Sequence, residues 1–496
     1  MKRTDFLIAL VVCCAMGCSG KEEPAGPEGG NGRLSEKLTV GPSLQAHMVM
    51  QQNKPFTISG TGTAGQYVEI SCSWEEKSSR IQVSADGSWR HTVTAPNGGF
   101  NAQQVTVSGK QTLTFDDILI GEVWVCSGQS NMWWPLKDTE GGLSEMIGAN
   151  ASLPIRLLHV PQVQASAPVA TLPATWQPCT AGSLEWFSAV AYFFGKQLVE
   201  ALQVPVGLIN ASWGDTTGEV WAERDAVLAN DAIREQALKQ DATPRADAQA
   251  PYRIGSAFNA MIYPLRDIPV AGVIWYQGEA NMDAPGTYPA LLATLAASWR
   301  KLWGVESADF PFYIAQICPY QRAFDYQVNY ANPNMRFAQQ RASEQIPNSG
   351  VICNDDIGDI HDIHPRNKLD VGKRFAFLAL ENKYGRTGQP KSPLYAGHRI
   401  IGNTLEVDFR HAGSGLKTVD GLSPTFFELA GADRVFHPAN AEISGSTVRL
   451  TAAAVPEPAY ARLGWSYTRT TNLRSNEGLP VGVFKTYDWA EPAEEP

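Results

Sequence analysis

The fold class this sequence predicts is α/β: a parallel sheet with helices on both faces, flanked by a β domain on either side. Three observations predict it. Between residues 119 and 390, short apolar runs alternate with stretches at helical spacing, the order that builds a parallel sheet. On either side of that region the chain turns to short apolar stretches punctuated by turn residues, without a long helical pattern. Several central apolar runs stop abruptly at polar, glycine-containing turns, and the C-terminal edge of an open α/β sheet is where ligands bind.

The chain starts with an export pattern. Lys2 and Arg3 precede an apolar segment over residues 6–16. That segment is about half the length that spans a bilayer, so a signal peptide is expected rather than a transmembrane helix. Ala15-Met16-Gly17-Cys18 resembles a bacterial lipobox, with Ala15 where Leu is usual, and makes Cys18 the expected acylated first residue of the mature chain. Ser19-Gly20-Lys21-Glu22-Glu23 resembles the export tag of surface lipoproteins. The expected location is therefore the outer membrane, at the cell surface or in the periplasm, with the lipid on Cys18 as the membrane contact. The alternative is an ordinary secretory signal with a chance cysteine. Residues 19–36 are rich in Gly, Pro and Glu and hold too little apolar surface to fold, so they read as a tether.

Residues 37–118 read as a small β-sandwich, with turn signals at Pro55, Asp86-Gly87 and Ser108-Gly109 and alternation through residues 67–70 and 89–93. Within 119–390, strands are expected at 123–126, 155–159, 206–209, 270–275 and 312–316, and helices at 187–202, 288–302 and 365–384. Residues 391–496 return to turn-rich β character and read as a second β domain. The length fits two or three domains and the 44% hydrophobic content fits a large core. A net charge of −10 argues against a nucleic acid or an anionic membrane surface as partner. The cysteines beyond the signal are Cys72, Cys126, Cys179, Cys318 and Cys353. They form no C-x-x-C pair, so a zinc site is not expected, and their odd number leaves at least one thiol free.

Four polar clusters follow the central strands. The first is Ser127-Gly128-Gln129-Ser130-Asn131, where Gly128 permits a tight turn and Ser130 stands just past the strand end. It is not the G-x-S-x-G elbow, because Met132 occupies the last glycine position. The second is Asn210-Ala-Ser-Trp-Gly214, the third Gln277-Gly-Glu279-Ala-Asn281, and the fourth the acid- and histidine-rich run 355–368. Singly, each has a plain structural reading as cap, turn or loop. Together they supply the parts of a serine hydrolase. A hydroxyl needs a base, an imidazole supplies one near neutral pH, a carboxylate orients the imidazole, and fixed donors meet the developing oxyanion. His361 and His364 are the base candidates for Ser130. Donor candidates are the amides of Ser130 and Gly214 and the side chain of Gln277 or Asn281. Two acids compete for the triad, Asp362 and Glu279. Pro365 pushes His364 into an extended conformation, which puts Asp362, two residues back, on the same side.

The four blocks GQSNM (128–132), INASWGDT (209–216), WYQGEAN (275–281) and DIHPRNK (362–368) resemble those of sialate O-acetylesterase-like enzymes of the SGNH, or GDSL-like, hydrolase superfamily. The resemblance extends to Asn259-Ala-Met-Ile-Tyr-Pro264 and to residues 472–480, and covers most of the chain after about residue 37. It implies a flavodoxin-like core and removal of acetyl groups from sugar hydroxyls without metal or cofactor. It also implies Ser130 as nucleophile, His364 as general base and then acid, and Ser130, Gly214 and Gln277 lining the oxyanion hole. Glu279, Asn281, Asn131 and Asn259 are candidates for substrate contact or support of the site. Asp215 departs from the usual WGGT by replacing its second glycine. His361 stands where the superfamily places an Asp, three residues before the catalytic histidine.

The expected function is a carbohydrate O-acetylesterase acting on an O-acetylated glycan, with sialate O-acetyl groups as the favoured substrate. Acetylated xylan and pectin fragments are alternatives, because the motifs report the ester and not the sugar. A sugar-binding lipoprotein without catalysis is a different class, against which the intact Ser130, Gln277 and His364 speak. A lipase or peptidase is disfavoured because no long apolar groove or lid is evident.

Overall fold

The computed structural model describes residues 32–171, 173–244, 249–320 and 330–489. The export signal, Cys18 and the tether up to residue 31 lie outside the described residues. The end of the expected tether is folded: Leu34 bridges Tyr67, and the fully buried Ser35 donates its amide to the Tyr67 carbonyl at 2.8 Å. Residues 32–36 therefore belong to the N-terminal β region.

The molecule is built on one long strand, β1, Thr112–Gly128. Its first six residues alternate between exposed and partly buried and the strand pairs antiparallel with Gly99–Ser108, while every residue from Ile118 onward is buried. Alternation suits a sheet with one wet face, and a continuous apolar run suits a parallel sheet covered on both. The boundary expected between 118 and 119 thus falls inside a single strand shared by the N-terminal β region and the core.

The other core strands are β2 (Ile155–His159), β3 (Trp176–Pro178), β4 (Val206–Ser212), β5 (Gly272–Tyr276), β6 (Phe312–Ala315) and β7 (Ser349–Ile352). They lie in the order β3-β2-β4-β1-β5-β6-β7. All neighbours run parallel except the edge pair β2 and β3. Taken alone, β1, β4, β5, β6 and β7 have the flavodoxin-like order 2-1-3-4-5, with β2 and β3 extending the sheet beyond β4. The chain reverses direction across the sheet at β1, and that switch point opens a crevice at the C-terminal ends of β1 and β5.

Side chains alternate between the two faces. Val123, Val125, Val273 and Trp275 share a buried cluster with Leu292, Leu295 and Trp299, while Trp124, Cys126, Ile274 and Tyr276 share another with Phe194 and Phe375. The helices that cover these faces include α2 (Ala189–Leu202), α4 (Tyr288–Trp303), α5 (Ala331–Gln345) and α6 (Lys368–Asn382). Two shorter helices serve the site, α1 (Ser130–Trp133) and α3 (Arg234–Ala242). The sequence pattern does not predict α5, because its buried face mixes Arg336, Gln339 and Gln340 with Met335, Ala338 and Ala342 and so lacks a clean apolar stripe. Beyond α6, antiparallel strands between Leu394 and Lys485 enclose their own apolar cluster. They are tied to the core by Arg336, which pairs with Asp355 at 2.6 Å and donates to the Gly464 carbonyl at 3.1 Å.

Candidate active site

The nucleophile turn is set by close strand packing. At Gly128, φ is +142°, and a Cβ there would stand 2.1 Å from the Tyr276 carbonyl oxygen of β5, so only glycine fits. The Gln129 amide donates to that same oxygen at 3.0 Å, and Gln129 Oε1 accepts from the Gly278 and Ala280 amides. The turn after β1 is thereby stitched to the turn after β5. Ser130 opens α1 at the mouth of a cavity of about 570 Å³, whose walls include Gly214, Asp215, Glu279, Asp283, Tyr320 and His364. Gly214 lies against the serine: a Cβ on it would be 3.5 Å from Ser130 Cβ. Among the described residues, neither the Ser130 nor the Gly214 amide is engaged by a backbone carbonyl.

His364 Nε2 is 2.8 Å from Ser130 Oγ. The Trp134 indole stacks on the imidazole with centroids 4.7 Å apart. Burial, with the Lys368 ammonium second, holds the imidazole below its ordinary range, against the opposing pull of Asp362. A neutral imidazole is the form a general base needs. Asp362 sits beside the other ring nitrogen: its Oδ1 is 3.8 Å from Nδ1 and accepts the His364 amide at 2.8 Å. Catalytic hydrogen bonds are often this long before substrate binds. His361 is exposed and turned to its own loop, its amide donating to Asp359 at 2.8 Å.

Gln277 departs from the expected role. It is fully buried, and both hydrogens of its side-chain amide are spent, on the Thr216 carbonyl at 3.1 Å and on Asn281 Oδ1 at 2.8 Å. Its Oε1 accepts from the Tyr288 hydroxyl at 2.8 Å. No donor remains for an oxyanion, so Gln277 is a joist between the turns after β4 and β5. Asn281 belongs to the same framework, accepting from the Gly218 amide at 2.9 Å and donating to the Glu219 carboxylate. Asn259 is buried elsewhere and donates to the Ala165 carbonyl at 3.1 Å.

Glu279 is buried at the cavity wall, where desolvation raises its carboxyl above the usual range. Its Oε1 accepts from Asn131 Nδ2 at 2.6 Å. Asn131 also donates to the Ile363 carbonyl at 3.0 Å and accepts from Lys368 Nζ at 2.5 Å. Asp215 lines the cavity with φ at +56°, a left-handed slot that glycine fills most easily and aspartate tolerates. Lys368 closes the DIHPRNK block and Trp134 lies two residues beyond GQSNM, but the sequence assigns neither a role of its own: an indole and a lysine at a helix start read as ordinary surface or core.

A parallel sheet carrying a serine–imidazole pair and a neighbouring aspartate at its switch point defines a serine hydrolase of the α/β class. Residues 120–381, which hold the whole site, match the family described as carbohydrate esterase, sialic acid-specific acetylesterase, and the chain belongs to that family. It is a carboxylic ester hydrolase. Among its relatives are sialate O-acetylesterase of Rattus norvegicus, 30% identical over 397 residues that cover 69% of this chain and 73% of that protein. The Homo sapiens sialate O-acetylesterase is 29% identical over 371 residues, covering 68% and 69% respectively. A solved carbohydrate acetylesterase from Xanthomonas citri superposes with a TM-score of 0.82 at 30% identity, covering 91% of this chain and all of that one.

Proposed function

We propose that the protein hydrolyses O-acetyl esters of carbohydrate, sialate O-acetyl groups first among them, through an acyl-enzyme on Ser130. The observation that carries this reading is the 2.8 Å contact of Ser130 Oγ with His364 Nε2 in the wall of the cavity. The Ser130 oxygen attacks the acetyl carbonyl carbon while His364 Nε2 takes the hydroxyl proton. The tetrahedral intermediate collapses with cleavage of the bond to the sugar oxygen, which receives that proton from the imidazolium. Water then attacks acetyl-Ser130, His364 takes its proton and returns it to the serine oxygen, and acetate leaves. The Asp362 carboxylate, 3.8 Å from Nδ1, stabilises the transient imidazolium. The Ser130 and Gly214 amides are the remaining candidates for the oxyanion, since Gln277 has none to give.

The sialate preference rests on the relatives named sialate O-acetylesterase. Acetate release across O-acetylated sialosides, xylo-oligosaccharides and pectin fragments tests it, and faster turnover of either plant glycan would displace sialate as the substrate. Export as a lipoprotein acylated at Cys18 is part of the same proposal, supported by Lys2, Arg3, the apolar segment 6–16 and Gly17-Cys18. Mass spectrometry of the membrane fraction is expected to find lipid on Cys18. A soluble form starting beyond residue 18 would contradict it.

A further inference from the structure

Ser130 and His364 come from segments 234 residues apart, and their contact depends on whatever holds those segments together. Asn131 follows the nucleophile directly, and Ile363 precedes the base directly. The 3.0 Å bond from Asn131 Nδ2 to the Ile363 carbonyl therefore links the chain one residue beyond the serine to the chain one residue before the histidine. The second hydrogen of that amide goes to Glu279 Oε1 at 2.6 Å. Both bonds require the amide to point its nitrogen at these acceptors. Lys368 enforces that orientation, because an ammonium can only donate, and its Nζ lies 2.5 Å from Asn131 Oδ1. We propose that Asn131, locked by Lys368 and Glu279, is the strut that sets the separation of the Ser130 hydroxyl and the His364 imidazole, which makes Asn131 and Lys368 positioning residues for the esterase reaction.

The burial of Lys368 supports a functional reason for its presence. The residue is wholly buried at the start of α6, with Nζ 5.8 Å from the Trp134 ring centre and 5.7 Å from that of Tyr276. A buried ammonium is costly, and an apolar side chain of similar length commonly serves stability as well or better. Burial brings its pKa down to about 8. The charge also acts on the base. The charged or titratable groups that share the cavity lining with His364 are Asp215 after β4, Lys239 on α3, Glu279 and Asp283 after β5 and Tyr320 after β6. Asp362 on its own loop and Lys368 on α6 act on the imidazole. Of these, Lys368 opposes protonation of the imidazole and Asp362 favours it.

The proposal rests on the esterase reading, and wild-type turnover of p-nitrophenyl acetate tests that reading separately: an inactive wild type refutes the reading itself. The strut is tested with Lys368→Met and Asn131→Ala. Displacing a base by about 1 Å costs on the order of 100-fold. Both variants are expected to lose roughly 10- to 100-fold in kcat with KM little changed. The acid limb of kcat/KM is expected to move to higher pH in Lys368→Met, where the neighbouring positive charge is gone, and to stay in place in Asn131→Ala. Glu279 can take up a proton when Lys368 is replaced, since its carboxyl already lies above the usual range. Should Lys368→Met nevertheless fail to fold, Asn131→Ala carries the kcat test. Wild-type kcat in a folded Asn131→Ala or Lys368→Met protein, or an unmoved acid limb in Lys368→Met, overturns the proposal.

Discussion

Replacing Asp362 by Asn removes one charge and little else. The substituted side chain keeps an oxygen for the His364 amide, which Asp362 Oδ1 now accepts at 2.8 Å. What disappears is a negative charge 3.8 Å from Nδ1. Opposite charges about 4 Å apart attract by about 1 kcal/mol in water and about 4 kcal/mol at an effective dielectric constant near 20. The Asp362 side chain is 43% exposed, so solvent screens the pair and the value falls well inside that range, at about 1–3 kcal/mol. The expected loss in kcat is roughly 5- to 150-fold. That is far below the loss of about 10⁴ seen when a buried triad aspartate becomes asparagine. The companion variant is Glu279→Gln, which keeps an oxygen to accept from Asn131 but removes the charge that favours the Lys368 ammonium, and it is expected to lose less in kcat than Asp362→Asn. The assay is steady-state turnover of an acetyl ester at a pH where the imidazole is neutral. A fully active Asp362→Asn beside a dead Glu279→Gln would make Glu279 the triad acid and refute the geometry argued from the 361–365 loop.

Two further predictions follow from the same site. Gln277→Met removes the amide that joins the Thr216 carbonyl and Asn281, so it is expected to cost about 1–3 kcal/mol in thermal or denaturant unfolding while kcat of the folded protein stays near wild type. A 10²- to 10³-fold fall in kcat at unchanged stability would instead mark Gln277 as an oxyanion donor. The second concerns pH. The base must be neutral, burial and Lys368 hold His364 below its usual range, and activity is therefore retained as pH falls until the imidazole protonates. The acid limb of kcat/KM is expected to have its midpoint below about 6.5, and a midpoint above that value would contradict the assignment of His364 as the titrating base.

Strand ends were legible because apolar runs stop there: 123–126 ends at the Ser130 turn, 206–209 at the Gly214 turn and Gly272–Tyr276 at the Gln277 turn. Their common edge follows from parallel pairing, and so does the meeting of Ser130 with His364. Less legible was the direction of each polar side chain at that edge. Gln277 and Glu279 are two residues apart, yet one is spent inside the framework while the other lines the cavity. A strand-end sequence does not distinguish an amide that faces substrate from one that joins turns. The role of Lys368, the last residue of the DIHPRNK block, is not legible for a related reason: a lysine in the first turn of a helix reads as solvated, and here it is buried against Trp134 and Tyr276. The helix Ala331–Gln345 is not legible because its inner face mixes polar and apolar residues, nor is the boundary near 118, because β1 changes from a one-faced to a two-faced strand without a break.

The acyl-enzyme itself is the most direct test. Wild-type protein mixed with an activated acetyl ester, quenched with acid within one turnover and digested, is expected to carry one acetyl group on the peptide containing Ser130. Ser130→Ala is expected to carry none and to release no acetate, while keeping the wild-type fold and melting temperature. Acetate release at the wild-type rate from folded Ser130→Ala, or an acetyl group trapped on another residue, would contradict the serine esterase built around Ser130 and His364.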